Sequence, residues 1–190
     1  MRLFFAVDLP KETRDRLFDA ASGLAGEGVT LVKRENIHIT LAFVGETQES
    51  RVGRVSSVLH GIDSCGFECR MRGAGSFGRG HGVLFARIAE GGSELAAISG
   101  RLSEGLARLG IVETRALKPH VTIARFGEGA GAKVSEFIRD RSDTDFGGFM
   151  CEGVTLKRSV LTSDGPVYSD IIVKPLSSAL LPGSSRSPLL

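Results

Sequence analysis

Residues 37–43 read IHITLAF and residues 119–126 read PHVTIARF, so one short chain writes His-x-Thr-apolar twice, each time inside a strand-like run. Side chains at i and i+2 of a strand point to one face. His38 and Thr40 therefore share a face, and His120 and Thr122 share another. Each motif presents an imidazole beside a hydroxyl.

The elements around the two motifs come in a similar order. Met1 to Val7 is an apolar and aromatic run suited to a strand, and DLPKETRDRLF then starts a helix with Pro10 in its first turn and Glu12 nearby. Leu17, Ala20, Ala21 and Leu24 give that helix an apolar stripe, and Gly26 and Gly28 end it. A strand at Val29 to Val32 leads into the motif strand Ile37 to Val44, and a helix is expected over Gln48 to Leu59. Strands near Phe67 to Met71 and Val83 to Ile88 bracket GAGSFGRGHG, which reads as a glycine-rich loop. Leu95, Ile98, Leu102, Leu106 and Leu109 mark a long amphipathic helix before the second motif strand, Lys118 to Phe126. A short helix at Val134 to Ile138 and strands at Phe146 to Cys151, Val154 to Leu161 and Val167 to Val173 follow, the last two joined by SDGP.

Several of these connections are too short for crossover helices, which excludes a doubly wound parallel sheet. The expected fold is α+β and bilobal, with two similar lobes, each an antiparallel sheet with flanking helices, related by a pseudo-two-fold axis around an active-site cleft. Residues 1–175 read as a single domain, and 176–190, including SSALLPGSSRSPLL, as a flexible tail.

With 190 residues the chain can bury a core without disulfides or a structural metal. Lys and Arg number 24 against 22 Asp and Glu, so no global basic field is available for wrapping nucleic acid. An anionic partner must be held locally. The opening apolar run is cut short by Asp8 and Pro10, and no stretch is long enough to span a membrane, so a cytoplasmic protein is expected. Cys65, Cys69 and Cys151 lack zinc-knuckle spacing and read as buried or incidental thiols.

If the motif faces meet across a cleft, two imidazoles and two hydroxyl donors converge. Hydrolysis of a phosphodiester needs a base that takes a proton from water and an acid that protonates the departing oxygen on the other side of phosphorus. Two imidazoles, one neutral and one protonated, can do both near neutral pH. The threonine hydroxyls can donate to the non-bridging oxygens. Arg125 could stabilise charge there, although strict alternation puts it on the face opposite His120. A strand histidine seen alone is more often a hydrogen-bonded core residue, but a matched pair reverses that reading. His60 reads as a helix-terminal residue, His81 as an exposed loop residue, and Asp8 and Lys118 as solvated charges at strand ends.

HITL at 38–41 and HVTI at 120–123 resemble the paired signature of the 2H phosphoesterase superfamily. MRLFFAVDLP, ENIHITLAFVGET, KPHVTIARF and LKRSVLTSDGPVYSDI more closely resemble its bacterial and archaeal RNA 2',3'-cyclic phosphodiesterases, also called the 2'-5' RNA ligase family. The resemblance covers about residues 1–175. It implies hydrolysis of an RNA terminal 2',3'-cyclic phosphate to a 2'-phosphate without a metal or other cofactor, with reversible 2',5' ligation as a side activity. His38 would be the general acid, His120 the general base, and Thr40, Thr122 and Arg125 the phosphate ligands. The partner would be RNA with a cyclic phosphate end, tRNA fragments included, bound by a monomer. Family members place a Trp at about Leu31 and at about Phe85 and a Pro-Arg pair in the GRGHG loop, so the base contacts differ; Phe43, Phe77 and Tyr168 are the replacement candidates.

Two rival readings use the same residues. A non-catalytic module could grip an RNA terminal phosphate in the same cleft, though binding alone needs no second imidazole. A zinc hydrolase built on His38, His120 and His81 lacks further ligands at metal spacing.

Overall fold

The apolar runs become nine strands and the periodic stripes become four α-helices among the residues described by a computed structural model, namely 1–26, 28–78, 80–112 and 118–178. In chain order they are β1 (Arg2–Asp8), α1 (Lys11–Ala21), β2 (Val29–Leu31), β3 (His38–Glu46), α2 (Val52–Ser57), β4 (Phe67–Phe77) and β5 (Gly82–Glu90). Then come α3 (Gly92–Arg108), β6 (His120–Phe126), α4 (Gly131–Asp140), β7 (Asp145–Cys151), β8 (Gly153–Thr162) and β9 (Gly165–Pro175).

The fold is α+β, and every strand belongs to a single antiparallel sheet of order β7-β4-β5-β6-β3-β1-β8-β9, with β2 also on β6. The two motif strands, β3 and β6, are central neighbours and pair only at Ile39 and Val121. Beyond that point β2 takes the place beside β6, pairing Val29 with Phe126 and Leu31 with Ala124. A strand and helix followed by a motif strand occur twice, as β1-α1-β3, with β2 inserted between α1 and β3, and as β5-α3-β6, with the outer strands of each paired antiparallel.

The helices cross over. α1 follows β1 yet packs its buried Leu17 and Ala21 face toward β6 and β7, while α3 follows β5 and packs mainly on β3. Leu95, Ile98, Leu102 and Leu106 of α3 are each at most 1% exposed. Burial of each is worth about 2 kcal/mol, so α3 is held by its core face rather than by helix propensity.

Three expectations change. The stretch Gly73 to Gly82 is mostly strand, because β4 continues to Phe77, paired with Val83, and Gly82 already belongs to β5; Gly78, just past β4, takes a φ of 99°. The helix expected over Gln48 to Leu59 is α helical only over Val52–Ser57, flanked by 3-10 turns, since Gly53, the valines and the Ser56-Ser57 pair are weak helix formers. The tail is anchored at first: Leu176 is buried and Ser177 bridges Cys65, while the remainder, 179–190, lies outside the described residues. Cys69 and Cys151 are buried, which pushes their thiols up to about 12 and about 11; Cys65 is exposed. Among the described residues no helix is long and apolar enough to cross a membrane.

Candidate active site

Ile39 and Val121 are fully buried at the position where β3 pairs with β6, so the residues flanking them project to the other face of the sheet. Antiparallel register about that pair sets His38 against Thr122 and Thr40 against His120. The two His-x-Thr motifs thus form one diagonal set of four half-buried side chains on one face.

Each motif strand carries a bulge one residue after its threonine. β1 pairs Ala6 with Thr40 and Phe5 with Ala42, passing over Leu41; β5 pairs Phe85 with Thr122 and Leu84 with Ala124, passing over Ile123. The extra residue reverses the alternation, so Phe43 and Arg125 turn to the motif face. Cross-strand partners agree: Arg125 pairs with Val83, two residues from Phe85, and Phe85 lies opposite Thr122. This corrects the placement of Arg125 by strict alternation. Neither bulge leaves its carbonyl unpaired, for buried Ser99 of α3 donates to Leu41 O at 2.6 Å and the Val32 amide donates to Ile123 O at 2.9 Å.

Both imidazoles are fixed in the same way. His38 Nδ1 donates to the Asn36 carbonyl at 2.7 Å, and His120 Nδ1 donates to the Lys118 carbonyl at 2.7 Å. Each neutral ring therefore carries its lone pair on Nε2, toward the open face. Thr40 Oγ1 lies 3.0 Å from His38 Nε2, whereas His120 Nε2 has no hydrogen-bond partner among the described residues. Aromatic rings wall both: Phe4 and Tyr168 stand 5.0 and 5.4 Å from the His38 ring, and Phe77 and Phe85 each 5.1 Å from the His120 ring.

Burial holds the His38 pKa below the ordinary histidine value. The Asn36 carbonyl opposes this by stabilising the cation, Lys157 reinforces it, Asp8 opposes it and His120 reinforces it. Tyr168 is raised by burial, with the Arg125 charge opposing, which brings Arg125 within electrostatic reach of the ring that leans on His38.

A family model for the 2'-5' RNA ligase superfamily matches residues 10–159. The chain belongs to that superfamily. An RNA 2',3'-cyclic phosphodiesterase of Archaeoglobus fulgidus is 32% identical over 176 residues, covering 91% of this chain and 99% of the relative. One from Methanocaldococcus jannaschii is 30% identical over 173 residues, covering 90% and 98%. Among solved structures, the protein TT0787 of Thermus thermophilus superposes with a TM-score of 0.78 at 31% identity, covering 94% of this chain and 99% of that one.

In this superfamily member the sheet brings His38, Thr40, His120, Thr122 and Arg125 to one face, together with Phe43 and Phe77, which are 52% and 41% exposed. Tyr168 is there too, but its ring packs edge-on against Phe4 and His38. His60 and His81 are exposed. Among the described residues no group of three or more His, Cys, Asp and Glu is placed to hold a metal. Sequence reasoning missed a charge cluster around a buried lysine: Lys157, 7% exposed, ion-pairs with the exposed carboxylates of Asp8 at 2.8 Å and Asp170 at 2.5 Å, and Thr155 Oγ1 donates to Asp8 at 2.9 Å. Asp8 is therefore no merely solvated strand-end charge. Its partners, Thr155 and Lys157, lie on β8, far along the chain, a pairing no local pattern signals.

Proposed function

We propose that this chain is an RNA 2',3'-cyclic phosphodiesterase that opens a terminal cyclic phosphate to a 2'-phosphate, with its two halves acting as similar lobes about the β3 and β6 seam. The observation that carries this reading is the meeting of two His-x-Thr motifs on one sheet face, each ring held through Nδ1 and presenting Nε2.

The cyclic phosphate sits between the imidazoles. His120, whose Nε2 lone pair is open, takes a proton from water as the water oxygen bonds to phosphorus. The bond from phosphorus to O3' breaks, and protonated His38 gives its Nε2 proton to O3', leaving a 3'-hydroxyl and a 2'-phosphate. Burial disfavours the protonated form of His38 in the free protein, and the arriving phosphate anion raises its proton affinity. The Thr40 hydroxyl can donate to Nε2 when that ring is neutral and accept from it when charged. Thr40, Thr122 and Arg125 hold the non-bridging oxygens where negative charge grows. Phe43 and Phe77 offer faces to the bases. A 5'-hydroxyl of a second RNA end in place of water gives a 2',5' linkage by the same two proton transfers. Residues 1–175 form the catalytic domain of a cytoplasmic monomer whose substrates include tRNA fragments.

The test is incubation with excess EDTA on a short RNA ending in a 2',3'-cyclic phosphate, with the product identified. A 2'-phosphate product is expected, and His38→Ala and His120→Ala should each lower turnover by about two to four orders of magnitude while remaining folded. Binding without turnover, or full activity in either variant, overturns the reading.

A further inference from the structure

Each motif histidine faces a charged residue on the neighbouring strand, and the two charges are opposite in sign. Asp8 of β1 is the partner of His38, and Arg87 of β5 is the partner of His120. Asp8 is consumed by its hydrogen bond to Thr155 and its ion pair with Lys157, and with Asp170 that side of the site carries two carboxylates against one ammonium. Arg87 is exposed and has neither a hydrogen-bond nor an ion-pair partner among the described residues. The site is thus flanked by a net acidic side at β1, β8 and β9 and by an open guanidinium at β5.

The neighbouring strand makes room for that guanidinium. Gly75 of β4 pairs with Phe85, and a Cβ there would stand 2.8 Å from Phe85 Cζ and 3.2 Å from Arg87 Nε. Arg87 therefore lies over the glycine, beside Phe85 and directed toward β4, with its Nη1 3.8 Å from where a Gly73 Cβ would be. Phe77, 41% exposed and 4.4 Å from the Phe85 ring, stands next to His120 on the same face. From the motif pair outward over β5 and β4, the surface presents an imidazole, a stacking ring and a cation: the groups that a single-stranded nucleic acid asks for in succession.

We propose that Arg87 binds the phosphate immediately upstream of the reacting end, so that RNA leaves the site over β5 and β4 and the protein prefers an oligonucleotide to a mononucleotide. This rests on the phosphodiesterase reading above. An RNA strand laid the other way would meet Asp8 and Asp170 and be repelled.

The test compares kcat/KM for a 2',3'-cyclic mononucleotide with that for a pentanucleotide carrying the same end, in the unaltered protein, in Arg87→Gln and in a control, Arg54→Gln on α2. Arg87→Gln is expected to lower the ratio of oligonucleotide to mononucleotide kcat/KM by about fivefold to tenfold, the scale of one charge-assisted contact. It should also flatten the salt dependence of oligonucleotide binding by about 0.7 in the log–log slope, the value for one lost phosphate contact on a single strand. Arg54→Gln should do neither. The same salt series, run by equilibrium binding of a pentanucleotide with a 2'-phosphate end, judges Arg87 even if no variant turns substrate over, which separates failure of this inference from failure of the phosphodiesterase reading. An unchanged ratio or an unchanged slope in Arg87→Gln overturns the inference.

Discussion

His38 shows how one side chain's surroundings set both chemistry and stability. Its pKa is depressed in the folded protein, chiefly by burial, so below about pH 6.5, the ordinary histidine value, the unfolded chain binds a proton that the folded chain resists. Stability attributable to this residue is therefore complete above that pH and declines as pH falls from it toward the depressed folded value. Urea midpoints measured from pH 5 to pH 7.5 should drop more steeply for the unaltered protein than for His38→Gln. Parallel curves would mean that the ring is not shielded from water. His38, Thr40, His120 and Thr122 were legible from sequence because the two-residue period of a strand alone puts each pair on one face. Phe4 and Phe85, which wall the imidazoles, read only as core: nothing local distinguishes a ring that packs beneath a histidine from one that packs beneath a leucine.

At the scale of elements, the paired bulges decide the site. They carry Phe43 and Arg125 to the same face as the motifs, and an extra unpaired residue leaves no trace in the hydrophobic pattern, so Arg125 is misplaced by any reading that counts alternation. The glycines of β4 misled for a related reason: Gly75 gives clearance to Phe85 and Arg87 and Gly73, at a φ of 76°, to the Ser142 carbonyl, yet in sequence they look like a loop. The bulge at Leu41 depends on Ser99, whose hydroxyl reaches its carbonyl in a buried setting. Ser99→Ala leaves that carbonyl without its donor and should cost about 1–3 kcal/mol in urea unfolding. An unchanged midpoint would show that the carbonyl finds another donor.

For the molecule as a whole, the sequence conveyed the class of fold and the recurrence of strand, helix and strand. It could not convey that α1 and α3 cross to pack beneath strands of the other half, because amphipathic periodicity tells which face is buried and not against what. The sheet order has a consequence for synthesis. β1, the first strand made, has β3 on one side and β8 on the other, and β8 begins at Gly153. While the ribosome still holds β8, one edge of β1 has no partner, and Leu3 and Phe5 lack the strand that closes their side of the core. A chain stopped after Cys151 should remain aggregation-prone by light scattering, and adding the β8 and β9 hairpin as a separate peptide should restore a monodisperse species. A soluble, cooperatively folded 1–151 fragment would contradict this. The growing protein thus waits for the β8 and β9 hairpin before β1 is safe, and that same hairpin delivers Tyr168, Lys157 and Asp170 to the side of His38, so the proposed acid stays unfinished until both strands are made.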